Sequence, residues 1–151
     1  MTFSPDGRLL AVSSDGGTIQ LWDVSTDLVQ SLLTIAGHRK QITDLAFSPD
    51  GDQLATSSLD GTVVLWDIAQ SIDQGAGQAW LTLAPHNGAV LDLDYSPDGR
   101  SLATSGEDGT VQVTLTNLEE MVALAQERLT RGFTEAECRQ YLHLDSCPTE
   151  E

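Results

Sequence analysis

Disulfide-forming capacity is almost absent from this chain: its 151 residues hold two cysteines, Cys138 and Cys147, both near the C-terminal end. That is too few for a small scaffold held by bridges, so packing must hold the core. Cations are scarce as well. Seven Lys+Arg stand against 23 Asp+Glu, a net charge of −16, and such a chain repels phosphate backbones and anionic lipid surfaces. Nucleic acid and membranes are therefore not expected partners. No apolar run approaches the roughly 20 residues that a spanning helix needs, and the N-terminus shows no basic-then-apolar leader, so a cytoplasmic location is expected. Aromatics make up only 5%, yet hydrophobic residues reach 40%. That suffices for the core of one ordinary domain and excludes a disordered tail.

What the chain does have is internal repetition. FSPDG at Phe3 to Gly7 recurs at Phe47 to Gly51 and, as YSPDG, at Tyr95 to Gly99, spacings of 44 and 48 residues. Each copy leads into an apolar stretch: LLAVSS from Leu9, QLATSS from Gln53, SLATSG from Ser101. A Gly-containing turn follows, then TIQLWD (Thr18 to Asp23), TVVLWD (Thr62 to Asp67) or TVQVTL (Thr110 to Leu115). In Ser-Pro-Asp-Gly the proline presets φ and the glycine is free to take φ > 0, so the chain turns there. Asp60-Gly61 and Asp108-Gly109 fall between β-rich runs, where Asp-Gly makes tight antiparallel turns. Val63 to Trp66 is continuously apolar, which predicts a strand covered on both faces. Each unit thus reads as three or four short strands in a stack of antiparallel sheets.

These residues resemble the WD-repeat family of β-propellers over about residues 1 to 116. The family pattern sets a Gly-His pair ahead of a closing Trp-Asp, with a period of ~40–45 residues. Gly37-His38 with Trp66-Asp67 matches fully, and Trp22-Asp23 closes a first copy that starts inside its inner strand. The third copy departs from the pattern, with Pro85-His86 for Gly-His and Thr114-Leu115 for Trp-Asp. The resemblance implies an all-β fold: a partial β-propeller of about three four-stranded antiparallel blades, followed by a short α-helical C-terminal extension. It also implies a hydrogen-bonded chain inside a blade, carried over to His38, Thr56, Asp60 and Trp66. The third unit keeps His86, Thr104 and Asp108, with Thr114 in place of the indole. The first unit has Val12 and Gly16 at the aligned positions, so blades one and three are expected to be locally weaker.

Two other chemistries fit these residues less well. A hydrolytic triad needs an exposed nucleophile and an oxyanion site and occurs once per active site, whereas this polar set tracks the repeat. Asp92, Asp94 and Asp98-Gly99 suggest a calcium loop, but Pro97 stands where the glycine is needed and Ala103 where the bidentate acid is needed. The chain is therefore not expected to be an enzyme, and no metal or cofactor is expected.

Past Thr116 the apolar period becomes helical through Leu118, Met121, Val122, Ala125 and Leu129, which predicts a helix capped by Asn117 and stopped at Arg131-Gly132. Thr134 to Glu137 reads as a capping box opening a second short helix to about Leu142, with Phe133, Tyr141 and Leu142 as its apolar contacts. The stretch Leu124 to Pro148 resembles the tail that closes WD-repeat regions in large bacterial signalling proteins. There is no phosphate-binding Gly-Lys loop or kinase motif in the chain. Cys138, His143 and Cys147, even with Asp145, make an incomplete zinc site, and two buried thiols are expected rather than a disulfide.

The expected domains are a propeller sector, 1–116, with units at about 1–36, 37–84 and 85–116, and a helical extension, 117–151. Closed propellers have ~4–8 blades, so three units read as the last part of a longer ring or as a ring completed by self-association through open blade edges. The expected function is non-catalytic protein recognition, a scaffold or sensor sector of a signalling protein. Its loops present Arg39, Lys40, Leu59, Asn87 and Glu107 to a protein partner. The alternative is a structural cap that closes a propeller and docks it on an effector domain.

Overall fold

A computed structural model describes residues 1–117 and 121–123. The chain divides into two compact units, Met1–Thr114 and Leu115–Glu151.

The described strands form three antiparallel sheets, each a meander in which sequence neighbours pair. The first sheet holds β1 (Thr2–Phe3), β2 (Leu9–Ser13), β3 (Thr18–Asp23) and β4 (Gln30–Ala36). The second holds β5 (Ile42–Phe47), β6 (Gln53–Ser58), β7 (Val63–Asp67) and β8 (Gln78–Leu83). The third holds β9 (Val90–Tyr95), β10 (Ser101–Gly106) and β11 (Val111–Leu115). The third sheet has three strands among the described residues, one fewer than a four-stranded blade, as expected from a unit in which the helical period follows its third strand directly.

The recurrent Ser-Pro-Asp-Gly turns are built identically. In the first, Gly7 N–H donates to Ser4 O at 2.9 Å, the Ser4 hydroxyl donates to Asp6 at 2.6 Å, and Leu9 N–H donates to the Ser4 hydroxyl at 2.9 Å. Ser48–Asp50 and Ser96–Asp98 repeat the arrangement. The glycine is required because φ is +72° at Gly7, +82° at Gly51 and +71° at Gly99, a region that side chains disfavour.

Between β7 and β8 lies a helix that the repeat does not announce, α1 (Ile68–Gln74). Asp67 caps its N-terminus by accepting from Gln70 N at 2.8 Å, and Gly75, at φ 62°, ends it in the left-handed conformation. In the first sheet the corresponding Asp23 instead accepts from Ser25 N and from its hydroxyl, making a turn with no helix. The insertion accounts for the longer second spacing.

Packing occurs between sheets. One cluster joins Ala11, Ile19, Leu21, Leu33 and Ile35 of the first sheet to Ile42, Leu45, Phe47, Leu54, Val64 and Trp66 of the second, with Ile68 of α1. The next joins Ala55, Val63 and Leu65 of the second sheet to Val90, Leu93, Tyr95 and Leu102 of the third. Residues Val63 to Trp66 of β7 are all buried because alternate side chains serve the two clusters. That is the continuous apolar strand expected from the sequence.

In the second unit the described residues are 115–117 and 121–123, and Met121 N–H donates to Asn117 O at 3.0 Å. The rest of the expected first helix, the capping box at Thr134 to Glu137, the second helix with Phe133, Tyr141 and Leu142, the tail Leu124 to Pro148, and Cys138, His143, Asp145 and Cys147 lie outside the described residues.

Candidate functional site

The connection from β4 to β5 brings His38 over the ends of β6 and β7. Its Nε2 lies 2.7 Å from Thr56 Oγ1 and its Nδ1 lies 3.0 Å from Thr62 Oγ1, with Asp60 Oδ2 at 3.4 Å. Trp66 Nε1 donates to Thr56 Oγ1 at 3.0 Å. Asp60 accepts from Thr62 N at 3.0 Å, from the Thr62 hydroxyl, and from Arg39 N at 2.8 Å.

Donor bookkeeping orients this chain. A carboxylate only accepts, so the Thr62 hydroxyl proton goes to Asp60, and Thr62 Oγ1 then accepts from His38 Nδ1–H. Thr56 Oγ1 accepts the indole N–H and lies 3.3 Å from Val64 O but 2.7 Å from Nε2, so with Nδ1 protonated its one proton goes to the nearer Nε2. The ring is thereby assigned as the neutral Nδ1–H tautomer. Burial pushes the His38 pKa down, against the pull of Asp60, which agrees with a neutral ring. Burial opposes the Asp60 charge, yet the hydrogen bonds from Thr62 and Arg39 outweigh it and hold the carboxyl at about 2.

The third sheet carries a parallel arrangement. His86 Nε2 lies 3.0 Å from Thr104 Oγ1, and Nδ1 lies 3.0 Å from Thr110 Oγ1 and 3.2 Å from Asp108 Oδ1. Asp108 accepts from the Thr110 hydroxyl at 2.7 Å and from Asn87 N at 2.9 Å, and these bonds hold its pKa well below the ordinary carboxylate range. Thr114 supplies no indole. In the first sheet Val12 and Gly16 replace the threonine and aspartate, and the turn keeps a Ser14–Thr18 hydroxyl contact at 2.6 Å.

In the second sheet this arrangement does not suit nucleophilic attack on an outside substrate. Thr56 is fully buried, and the His38 side chain has no exposed surface. The threonines at positions 62 and 110 are the members that sequence reasoning missed. The signal was available in the repeat itself, where Thr18, Thr62 and Thr110 each follow a turn glycine.

Asp98 caps its own turn by accepting from the Ser96 hydroxyl and Arg100 N. Asp92 and Asp94 lie exposed on β9. Asp44 on β5 is half-buried, accepts from Leu93 N at 3.3 Å, and has its pKa raised first by burial and then by its hydrogen bond with Asp92. Among the described residues no three metal-ligating side chains converge.

Arg39, Lys40, Leu59, Asn87 and Glu107 are all exposed, at the end of the sheets where the two His–Asp pairs lie. Four of the five have their backbone N–H pinned: Arg39 N to Asp60, Asn87 N to Asp108, Leu59 N to Gln41 O at 3.0 Å, and Glu107 N to Ala89 O at 2.9 Å, while Lys40 O accepts from the Ser58 hydroxyl at 3.4 Å. The loops also interlock, since a Cβ on Gly61 would come within 2.9 Å of Gly88 O. Beside Arg39 opens a cleft of about 380 Å³, lined also by Thr62, Val64, Trp66, Ala79 and Thr82.

The WD domain, G-beta repeat family matches this chain at residues 1–23, 29–67 and 77–114. No curated protein matches it.

Proposed function

The chain belongs to the WD domain, G-beta repeat family, and on that premise we propose that it is a non-catalytic scaffold sector that recognises a protein partner through the loop end of its sheets. Repeats of this family generally mediate protein–protein interaction. The observation that carries the reading is the way Asp60 and Asp108 reach across to the backbone N–H groups of Arg39 and Asn87. The His–Thr–Asp chains serve as structural braces, so the side chains of Arg39, Lys40, Leu59, Asn87 and Glu107 are displayed from loops already held in place. Pre-ordered loops lose less entropy on binding. Arg39 and Lys40 are two of only seven cations in a chain of net charge −16, which favours a partner with an acidic patch at that point.

In its finer form this reading makes residues 1–116 a propeller sector and 117–151 an extension, within a bacterial signalling protein of the cytoplasm. The tail sequence from Leu124 to Pro148 supports that form. No helix among the described residues is long and apolar enough to cross a membrane. Self-association through open blade edges belongs to the same reading.

A photo-reactive side chain in place of Lys40, with another in place of Asp52 at the opposite end of the sheets, tests it. The expected result is one specific protein adduct at position 40, lost on Arg39→Glu, and none at position 52. Equal adducts at both positions, or none at either, would refute the loop-end assignment.

A further inference from the structure

The brace of the second blade uses only the backbone of Arg39, which leaves the side chain free. Arg39 N–H donates to Asp60 Oδ2 at 2.8 Å, and in the third blade Asn87 N–H makes the equivalent bond to Asp108 at 2.9 Å. A cation at this position is therefore no requirement of the brace. Among the described residues the Arg39 guanidinium makes no ion pair or hydrogen bond, whereas Arg8 lies 3.9 Å from Asp6. In a chain of net charge −16, an unpaired guanidinium is a local attractor for anions.

The cleft of about 380 Å³ beside it has few other free polar groups. Both His38 ring nitrogens are taken, by Thr56 and Thr62. Asp60 already accepts from Thr62 N, the Thr62 hydroxyl and Arg39 N, and its side chain is only 10% exposed. That side of the cleft is satisfied and offers a ligand nothing. Val64, Trp66 and Ala79 make an apolar wall, and Thr82 adds one hydroxyl. Ala79 and Thr82 are exposed on β8, the outermost strand of the second sheet, so the cleft opens to solvent along that strand. Its lining runs from Gly37 to Thr82, all within the second repeat, so the cleft is complete in this chain.

We propose that this cleft takes an apolar side chain of a partner protein next to an aspartate or glutamate, whose carboxylate meets the Arg39 guanidinium. The proposal rests on the reading of the chain as a protein-recognition module, and it names the ligand chemistry. A cleft open along one strand covers a side chain and leaves the adjoining main chain outside, as a protein segment requires, whereas small-molecule sites bury most of their ligand. The planar guanidinium matches a carboxylate in geometry as well as charge. The chain's overall charge repels acidic segments, so the free cation fixes where one can settle.

The test presents the full chain to a display library of random short peptides. The expected consensus is an apolar residue adjacent to Asp or Glu. A blocked synthetic peptide carrying that consensus is then titrated by fluorescence anisotropy. Arg39→Asn installs the residue type of the third blade and keeps the backbone N–H, and it should weaken binding about tenfold. Ala79→Tyr, which fills the cleft from an exposed position, should weaken it comparably; Thr82→Glu is the second choice. Far-UV circular dichroism and the His38 ring signals should match the parent in each variant, since none of them touches the brace. A basic consensus, no enrichment, or equal binding by parent and variants would overturn the proposal. So would isovalerate, a small acid carrying both groups, if it competes at the concentrations at which the peptide binds. A position-40 adduct that persists in Ala79→Tyr would remove the cleft and leave the loop-end reading intact. Peptide binding of the expected kind without any position-40 adduct would sink the loop-end assignment and leave the cleft standing.

Discussion

The second and third blades hold nearly the same polar chain, and they differ at two positions that explain each other. In the second, Gly37 precedes the histidine because a Cβ there would come within 2.9 Å of the Trp66 ring. In the third, Thr114 stands where the indole would be, and the residue before the histidine is Pro85. The glycine serves space rather than backbone conformation, with the Trp66 ring the nearest neighbour and Ile19 Cδ1 next at 3.1 Å. The histidine, both threonines and the aspartate keep bonding distance in both blades, His to Thr at 2.7 Å in one and 3.0 Å in the other. The comparison separates two jobs. The polar chain braces the loops with or without an indole, while Trp66 belongs to the apolar cluster between the first and second sheets.

The largest effect that sharpens this difference is expected from Trp66→Ala, which removes a buried ring and the donor to Thr56. We expect a loss of about 3–5 kcal/mol. Thr114→Ala should change stability by less than about 0.5 kcal/mol. Urea melts giving equal losses would erase the distinction. Next comes Gly37→Ala, whose added methyl overpacks the indole at a cost of about 1–3 kcal/mol. In a Trp66→Leu background most of that cost should vanish, and a double-mutant cycle showing additivity would break the coupling of the two positions.

Acid should then act on the brace. Asp60, held at about 2, contributes stability that is fully present above its ordinary 3.8 and lost as pH falls through about 2. His38, with its pKa lowered, contributes stability present above its ordinary 6.5 and lost as pH falls. Asp60→Asn should flatten the acid limb of the stability profile below 3.8; an unchanged limb would remove Asp60 from the brace. The smallest effect is at the carboxylate pair. Asp44 is raised, so the stability it contributes is present below its ordinary 3.8 and lost as pH rises through its folded value. Asp44→Asn should therefore raise the urea midpoint at neutral pH and leave it unchanged in acid, whereas a lower midpoint at neutral pH would contradict the sign.

How far each part was legible in the sequence follows from whether it repeats. The strands and the Ser-Pro-Asp-Gly turns are written in short local patterns that occur three times, and the family could be identified from them. The helix α1 was not legible, because it depends on the Asp67 cap and on left-handed Gly75 in a segment with no counterpart in the first unit. The residue types at His38, Thr56, Asp60 and Trp66 can be aligned between units. Thr62 was overlooked because its β-branched side chain at the head of an apolar strand reads as part of the strand, although its hydroxyl sits between histidine and aspartate. Three strands rather than four in the third sheet, among the described residues, reflect a sequence that leaves the strand pattern after Thr116.

The central claim is that the brace exists independently of the indole, with His38 as a neutral ring protonated on Nδ1. Long-range proton–nitrogen correlation spectra of the imidazole, recorded on the parent and on Trp66→Phe at neutral pH, test it most directly. The account predicts a protonated Nδ1 and a bare Nε2 in both proteins, with Trp66→Phe less stable yet unaltered at His38. A ring protonated on Nε2 in the parent, or one that changes tautomer when the indole is removed, would contradict it.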